Sequence, residues 1–233
     1  MDSAIGLSVG ASASRSRLAA VSVVLISALA ACAAPAAASL PLLVADPVTS
    51  DNFGAVVLAD ANGKQSVSSD NARSTAAGGP ALFQYARDIG TTSAGDIYVL
   101  SAGATGKVIK VDGATGAHSE VSSNAKSQAA GGPAAFDEPD GITVSPTGEI
   151  YVVDPSATGT GAVIRVDPTT GRHTIVASNA ISAGQGAEEL FAGPEDVALL
   201  PGGALAVTDP VADRVVAVDA AGKQTVLSSN AAS

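Results

Sequence analysis

Short runs of alternating hydrophobic and polar residues follow one another along most of the chain after residue 40. Four such runs are clearest in one segment, at residues 142–144, 149–153, 162–166 and 173–177. Alternation with a period of two is typical of β-strands that bury one face. Turn sequences separate the runs, with Ser-Pro-Thr-Gly at 145–148 and Asp-Pro-Thr-Thr-Gly at 167–171. The pattern therefore predicts a sheet of four antiparallel strands.

The same pattern occurs in four consecutive units. Equivalent asparagines recur at intervals of 53, 55 and 51 residues, at Asn71, Asn124, Asn179 and Asn230. A phenylalanine follows each of the first three, at Phe83, Phe136 and Phe191. We expect each phenylalanine to fill the gap between two neighbouring units, because a large apolar ring in a loop is usually buried. The repeat units cover about 40–71, 72–124, 125–179 and 180–233.

A four-stranded sheet of this kind cannot bury its faces alone. Strand alternation places Ile164 and Val166 on one face and Arg165 on the other. Copies of such a sheet bury their faces by packing against one another around an axis. The sequence therefore predicts an all-β fold, a β-propeller of about four four-stranded blades at 40–233, incomplete or open, after an N-terminal export signal.

The two ends of the repeat array bear on ring closure. The first unit begins at Leu40 with what would be its second strand, and the chain stops at Ser233, where the first strand of another copy would begin. Closed propellers usually complete one blade with strands from both chain ends. Three alternatives follow: a four-bladed ring that closes imperfectly, a fragment of a longer array, or a strand supplied by a partner.

The first 39 residues differ in composition from the repeats. Arg15 and Arg17 precede an apolar run at 18–31, which is typical of an export signal and short for a membrane span. Leu-Ala-Ala-Cys at 29–32 resembles the bacterial lipobox, which implies lipidation of Cys32; the alternative is cleavage after Ala-Ala-Ala at 36–38. We divide this region into a signal peptide at 1–32 and an alanine-rich linker at 33–39. The expected location is outside the cytoplasm, as a membrane-anchored lipoprotein or a secreted or periplasmic protein.

Composition and charge narrow the range of partners. Hydrophobic residues make up 46% of the chain but aromatic residues only 3%, so Val, Ile, Leu and Ala must form the core, which favours strands. The formal net charge of -10 repels phosphate backbones and anionic lipids. We therefore expect no nucleic-acid partner, contact with a membrane only through a lipid on Cys32, and an unknown ligand or protein as partner.

The segment 139–171 carries the pattern P-x-G-I-x-V-x-P-x-G-x-I-Y-V-x-D followed by x-V-I-R-V-D-P-x-T-G. This pattern resembles NHL-repeat-type β-propeller proteins and, distantly, gluconolactonase-like and virginiamycin B lyase-like propellers. The resemblance covers about residues 41–233 and implies a propeller fold. Gluconolactonase-like enzymes hold a divalent metal at the propeller centre with acidic and amide side chains, but no residue of this chain matches that set position by position.

An aspartate followed by proline ends the second strand of three units, at Asp46, Asp154 and Asp209, whereas the second unit has Ser101. Around a central pore, three carboxylates offer weak candidates for a metal site, because hard cations such as Ca²⁺ prefer oxygen ligands. The alternative is that each aspartate accepts hydrogen bonds within its own turn, which its recurrence favours. No other cofactor is expected.

A second set of candidates breaks the repeat. Arg87, Asp140 and Glu195 share one aligned position at the start of the first strand, yet they differ in charge. Because a ligand is asymmetric, such departures mark candidate ligand-binding residues near a central channel. The alternative role is salt bridging at the rim.

The two histidines do not indicate catalysis. His118 and His173 lie at the start of the fourth strand, where we align Lys64 and Lys223 in the other units, so we expect a solvated position that accepts any polar group. The sequence contains no G-x-S-x-G, no H-E-x-x-H and no phosphate-binding glycine loop. Catalytic residues are therefore not assigned.

Three functional hypotheses follow. The first is an exported, non-catalytic β-propeller that binds a ligand or protein through its loop-rich face. The second is a metal-dependent lactonase, hydrolase or lyase of the gluconolactonase-like propeller class. The third is a truncated propeller without an independent function.

Overall fold

The computed structural model of the chain describes residues 23–25, 42–48, 53–103 and 105–230. These residues form four antiparallel sheets of four strands each. The first sheet consists of β1 (Val23–Leu25), β2 (Leu42–Asp46), β3 (Ala55–Ala59) and β4 (Gln65–Ser69). The second consists of β5 (Ala86–Thr91), β6 (Ile97–Ser101), β7 (Lys107–Val111) and β8 (His118–Ser123). The third consists of β9 (Gly141–Val144), β10 (Ile150–Asp154), β11 (Ala162–Val166) and β12 (His173–Ser178). The fourth consists of β13 (Asp196–Leu199), β14 (Leu205–Asp209), β15 (Arg214–Val218) and β16 (Gln224–Ser229).

The four sheets confirm the predicted all-β repeat fold. Each sheet follows chain order and pairs every strand with the next, as in the register Ile150↔Val166 between β10 and β11. The predicted hairpin turns are present: in the turn of the second sheet, the Gly116 amide donates to the Asp112 carbonyl at 2.8 Å. Within the described part of the chain, no helix is long and apolar enough to span a membrane.

The first sheet contains a first strand that the sequence analysis did not assign. Val23–Leu25 pairs antiparallel with β2 in the register Val23↔Val44 to Leu25↔Leu42. These residues belong to the apolar run assigned to an export signal, and short apolar runs satisfy both patterns. The other elements of that assignment, Arg15, Arg17, Cys32 and the alanines at 36–38, lie outside the described residues.

The hydrophobic core lies between sheets rather than within one. Three clusters of buried side chains join the first sheet to the second, the second to the third, and the third to the fourth. Successive residues of β7 belong to different clusters: Ile109 packs toward the first sheet and Val108 toward the third. The predicted face alternation is therefore confirmed. Each interior sheet buries both faces, since it has a neighbour on each side.

Phe83, Phe136 and Phe191 occupy the predicted gaps. Each is at most 4% exposed and belongs to the cluster between its own sheet and the preceding one. In each gap the repeated asparagine holds the phenylalanine backbone: the Asn124 side chain accepts from the Phe136 amide at 2.9 Å and donates to its carbonyl at 2.7 Å. Asn71 and Asn179 do the same for Phe83 and Phe191.

The segments between sheets contain short helices that the sequence analysis treated as loops. They are α1 (Asn71–Ala76), α2 (Asn124–Ala129) and α3 (Asn179–Gly184). Side-chain oxygens of Asp70, Ser123 and Ser178 accept from the amide three residues later, which is the usual N-cap. Six residues are too few for helical periodicity, so only the cap signal was available.

The expectation of solvated histidines is wrong. His118 is 3% exposed and His173 is fully buried. The strand register aligns them with Gln65 and Gln224 rather than Lys64 and Lys223, because their turns are one residue longer. The preceding sheet covers these positions, which a pattern within one strand does not show.

Each histidine forms part of a hydrogen-bond chain between sheets. The Ser122 hydroxyl donates to the Gly171 carbonyl at 2.6 Å and lies 2.8 Å from His173 Nε2. The Ala135 amide donates to His173 Nδ1 at 3.4 Å. Because the Ser122 hydroxyl proton is donated to Gly171, Nε2 of His173 must donate its own proton to the Ser122 oxygen. Because Nδ1 accepts from Ala135, it carries no proton, and the ring is neutral. Ser69, Gly116 and His118 repeat the arrangement one sheet earlier.

The four sheets form an open array. Contacts between elements join each sheet to the next one in the chain, mainly through the first strands β1, β5, β9 and β13. Among the described residues, no comparable packing joins the first sheet to the fourth. One face of the first sheet and one face of the fourth therefore have no neighbouring sheet within the described ranges.

Close packing between sheets predicts unequal costs for two glycines in the β10–β11 connection. A Cβ on Gly161 would lie 2.3 Å from Pro194 Cδ of the next sheet, whereas a Cβ on Gly159 would have no atom within 4 Å. Both glycines have positive φ, 96° and 85°, so both alanine substitutions cost about 1–2 kcal/mol of backbone strain. We expect Gly161→Ala to lose about 1–3 kcal/mol more. Urea denaturation measures both, and equal losses would contradict the packing.

The buried imidazoles predict an acid-sensitive array. Burial lowers the pKa of both His118 and His173 from 6.5 to about 4. The unfolded chain therefore binds more protons than the folded one between these values, so the free energy of unfolding falls as the pH drops from about 6.5 to 4. The double variant His118→Gln, His173→Gln removes both imidazoles. Glutamine is the residue at the equivalent position of the fourth sheet, where Gln224 Oε1 accepts a hydrogen bond from the Leu190 amide at 2.6 Å. Urea titrations across this range should show a flatter pH dependence for the variant; parallel curves would exclude the histidines as its cause.

Candidate functional site

The predicted site residues lie at one end of the sheets. The start of each first strand pairs with the end of the second strand, as shown by the Asp140 amide donating to the Val153 carbonyl at 2.9 Å. The Glu195 amide donates to the Thr208 carbonyl at 2.9 Å in the fourth sheet. This pairing places both predicted sets at the same edge, where the segments between sheets also arrive.

Asp154 is fully buried and is used by the backbone. One carboxylate oxygen accepts from the Asp137 amide at 2.7 Å, and the other accepts from the amides of Ser156 and Ala157 at 3.0 and 2.9 Å. Burial raises the pKa of Asp154, and these amide donors partly oppose the rise. The carboxylate therefore ties its own turn to the segment that enters the third sheet.

The equivalent residues perform the same task. Asp209 accepts from the amides of Ala192 and Gly193, which enter the fourth sheet, and from Ala212 in its own turn. Ser101 accepts from the amides of Gln84 and Tyr85 with its hydroxyl oxygen. Asp46 accepts from the Val48 amide at 2.9 Å. A serine suffices in the second sheet, so the position requires an acceptor rather than a charge.

This geometry favours the capping interpretation over the metal interpretation. In the described ranges, no group of three or more His, Cys, Asp or Glu side chains is arranged to hold a metal ion. Asp154 and Asp209 direct their oxygens toward backbone amides of their own sheets. The weak metal candidates have a sufficient structural explanation.

Arg87 and Asp140 meet across two sheets. The Arg87 guanidinium forms an ion pair with the Asp140 carboxylate, and its Nη2 donates at 2.8 Å. The Asp140 side chain is 13% exposed and the Arg87 side chain 35%. Burial raises the pKa of Asp140, while the Arg87 charge opposes that rise. The predicted rim salt bridge is therefore present for two of the three residues that break the repeat.

Glu195 is exposed and lies close enough to that ion pair for the charges of Asp140 and Arg87 to act on its carboxyl. Burial of part of its carboxyl raises the pKa of Glu195, and the negative charge of Asp140 adds to the rise. Glu195 lines a cavity of about 320 Å³ on the outer side of the fourth sheet. The other lining residues are Thr208, Asp209, Pro210, Asp213, Arg214, Val215, Ser228, Ser229 and Asn230.

The cavity combines both charges with many hydrogen-bonding groups. Arg214 Nε is buried and has no hydrogen-bond partner among the described residues. Buried donors are nearly always paired, so Arg214, which lines the cavity, has hydrogen-bonding capacity that the described residues leave unused. Carboxylates of Glu195 and Asp213 and hydroxyls of Thr208 and Ser228 complete the lining.

Asp213 distinguishes this turn from the equivalent turns of the other sheets. Equivalent positions in the other sheets are glycines whose Cβ would collide with the next sheet, as for Gly106 against Pro139 and Gly161 against Pro194. Asp213 has a φ of 50° and occupies the same left-handed conformation with a side chain. Sequence reasoning missed Asp213 and Arg214, although aligning this turn across the four units would have shown the substitution.

These observations define a protein of the β-propeller class, with an open array of four blades. Neither the protein-family models nor the curated protein sequences match the chain. Solved structures do. A gluconolactonase from Xanthomonas campestris matches with a TM-score of 0.53 and 14% identity, over 80% of this chain and 57% of that one. The virginiamycin B lyase from Staphylococcus aureus matches with a TM-score of 0.54 and 13% identity, over 83% and 53%.

An auxiliary nutrient binding protein from Bacteroides ovatus is also similar, with a TM-score of 0.52, 17% identity, and coverage of 80% of this chain and 44% of that one. The suspected distant resemblance to gluconolactonase-like and lyase-like propellers is confirmed for the fold. The chain spans less than two thirds of each of these three proteins. At these identities the similarity concerns the fold alone.

The capping role of Asp154 predicts a graded mutational series. Asp154→Ala removes the acceptor of several amides, and we expect a loss of about 2–4 kcal/mol in the free energy of unfolding. Asp154→Ser should lose less, because Ser101 caps the equivalent segment. Thermal and urea denaturation measure the series. A melting temperature of the wild type that rises with added Ca²⁺, and no longer does so in Asp154→Ser, would instead support a metal site.

Proposed function

We propose that this chain is an exported, non-catalytic binding module whose cavity on the fourth sheet binds a small, hydroxyl-rich polar ligand. The observation that carries this proposal is the unpaired Arg214 Nε beside a cavity of about 320 Å³. Cavities of this size accommodate small molecules, and a few oriented polar groups fix the position of a ligand.

The lining residues favour a neutral or acidic hydroxylated compound. Arg214 offers donors, whereas Glu195 and Asp213 offer acceptors for ligand hydroxyls. Ser228 and Asn230 can serve either role. Pro210, Val215 and the aliphatic parts of the polar residues supply apolar surface for the carbon skeleton of such a ligand.

The absence of an assigned reaction follows from how the buried polar groups are used. Asp154 and Asp209 accept from backbone amides, and the two histidines bridge neighbouring sheets. These groups are engaged in contacts that hold the backbone and neighbouring sheets, which is not the arrangement expected of a general base or a nucleophile. Binding is therefore the function that the geometry supports best.

Export is part of this proposal and rests on sequence. Arg15 and Arg17 before the apolar run, and the lipobox-like residues ending at Cys32, favour a module held at or released from the cell surface. The acidic chain itself has no attraction for anionic lipids. Cleavage before Cys32 and acylation of that residue would provide the membrane contact; this processing would remove β1 and leave β2 as the edge strand of the first sheet.

The binding proposal is tested by isothermal titration calorimetry with a panel of neutral monosaccharides and sugar acids. We expect at least one to bind the wild type, and Arg214→Gln to weaken it by roughly tenfold or more, since a hydrogen bond to a charged group contributes about 1.5–3 kcal/mol. Arg165→Gln is the matched control, because Arg165 lies on the equivalent strand of the third sheet and pairs with Glu149.

Three results would overturn the proposal. The first is that no member of the panel binds. The second is that a member binds and Arg214→Gln leaves its affinity unchanged. The third is turnover: hydrolysis of glucono-δ-lactone by the purified chain, lost on Glu195→Gln, would show an enzyme rather than a binding module.

A further inference from the structure

Apolar exposure is confined to the two ends of the array. Within the described residues, every large hydrophobic side chain that is markedly exposed belongs to the first or the fourth sheet and its connections. These residues are Val48 and Phe53 at one end, and Val211, Val226 and Leu227 at the other. The two interior sheets expose none, because each has neighbours on both sides.

The fourth sheet has the serine donor of the hydrogen bonds that join the first sheet to the second and the second to the third. Ser69 and Ser122 are fully buried, and their hydroxyls donate to Gly116 and Gly171 carbonyls of the next sheet at 2.7 and 2.6 Å. Ser228 is the equivalent residue of β16, and it is exposed. Its neighbour Leu227 is 54% exposed, whereas the equivalent Val121 is 7% exposed.

The first sheet has the residue that would lie beside this serine, at the start of its fourth strand. His118, His173 and Gln224 share one position at the start of the fourth strand, and the preceding sheet buries all three. Gln65 is the equivalent residue of β4, and it is exposed. Gln224 shows how a glutamine occupies this position: its Oε1 accepts from Leu190, whereas its Nε2 is buried without a partner among the described residues.

The hairpin glycines show the same difference between the first sheet and the sheets that have a preceding neighbour. A Cβ on Gly116 or Gly171 would lie 2.9 or 2.6 Å from a carbonyl oxygen of the preceding sheet. Gly63 is the equivalent residue of the first sheet, and its Cβ would have no atom within 4 Å. The first sheet thus has the shape of a surface that receives a preceding sheet.

We propose that two copies of this chain associate head to tail, with the fourth sheet of one copy packed on the first sheet of the next. In this arrangement Ser228 donates to the Gly63 carbonyl of the other copy and lies beside its Gln65. Leu227 takes the place that Val121 occupies between the second and third sheets. The interface is heterologous, so a pair of copies closes into a ring or further copies extend it, depending on the rotation between them.

The docking surface overlaps the ligand cavity. Ser228 lines that cavity, and in the assembly its hydroxyl donates to the second copy. The assembly goes beyond the proposed ligand binding and does not require it, and the second copy and the ligand compete for this face.

Sedimentation velocity of the purified full-length chain over a range of concentrations tests the proposal. We expect the wild type to form species of two or more copies. Leu227→Glu should block the fourth sheet, and Gly63→Asn the first, because asparagine tolerates a positive φ but its Cβ would meet the other copy. Each variant alone should sediment as a monomer. Ser119→Glu is the control. It introduces an exposed charge on β8 of the second sheet, away from the proposed contact, and should associate like the wild type.

The decisive sample is an equimolar mixture of the two variants. Leu227→Glu retains an intact first sheet and Gly63→Asn an intact fourth sheet, so the mixture should form dimers and nothing larger. Ser228→Glu provides a second blocked fourth sheet should Leu227→Glu not fold. A wild type that stays monomeric would overturn the proposal. A mixture that stays monomeric would also overturn it, because the mixture contains both of the intact surfaces that the proposed contact requires.

Discussion

The packing of each sheet on the next is the constraint on which the rest of this fold depends. Neighbouring residues of a strand point to opposite faces, so Val108 and Ile109 belong to two different cores. A single sheet therefore contains only half of each core that it contributes to. The phenylalanines complete these cores, and the repeated asparagines fix the phenylalanine backbones. The sequence therefore repeats with the same spacing as the interfaces between neighbouring sheets.

Polar groups within these interfaces fix the relative position of neighbouring sheets and also help to hold them together. A neutral imidazole connects a serine hydroxyl of one sheet to a backbone amide of the next segment, as His173 connects Ser122 to Ala135. Protonation of Nδ1 would remove an acceptor and place a charge among apolar side chains, which accounts for the low pKa in terms of burial. Gln224 supplies an acceptor without titration, so the requirement is for geometry and not for imidazole chemistry.

The sequence predicts what is local and periodic. Strands, hairpin turns and the buried phenylalanines follow from alternation and spacing, and the structure confirms them. The burial of His118 depends on a neighbouring sheet, which no pattern within its own strand reveals. The helices are too short for a periodic signal, and β1 arises from an apolar run that suits a strand and a signal peptide alike. Asp154 was recognised as either a cap or a metal ligand, and only its amide contacts separate the two roles.

The fourth sheet departs from the other sheets at positions that neighbouring sheets use in the interior of the array. It has Thr208 where Leu100 and Val153 are buried, and Asp213 where the other sheets have glycine. It also keeps Leu227 exposed and leaves Arg214 Nε without a hydrogen-bond partner among the described residues. The ligand cavity and the proposed contact with a second copy therefore share this face, and Ser228 belongs to both.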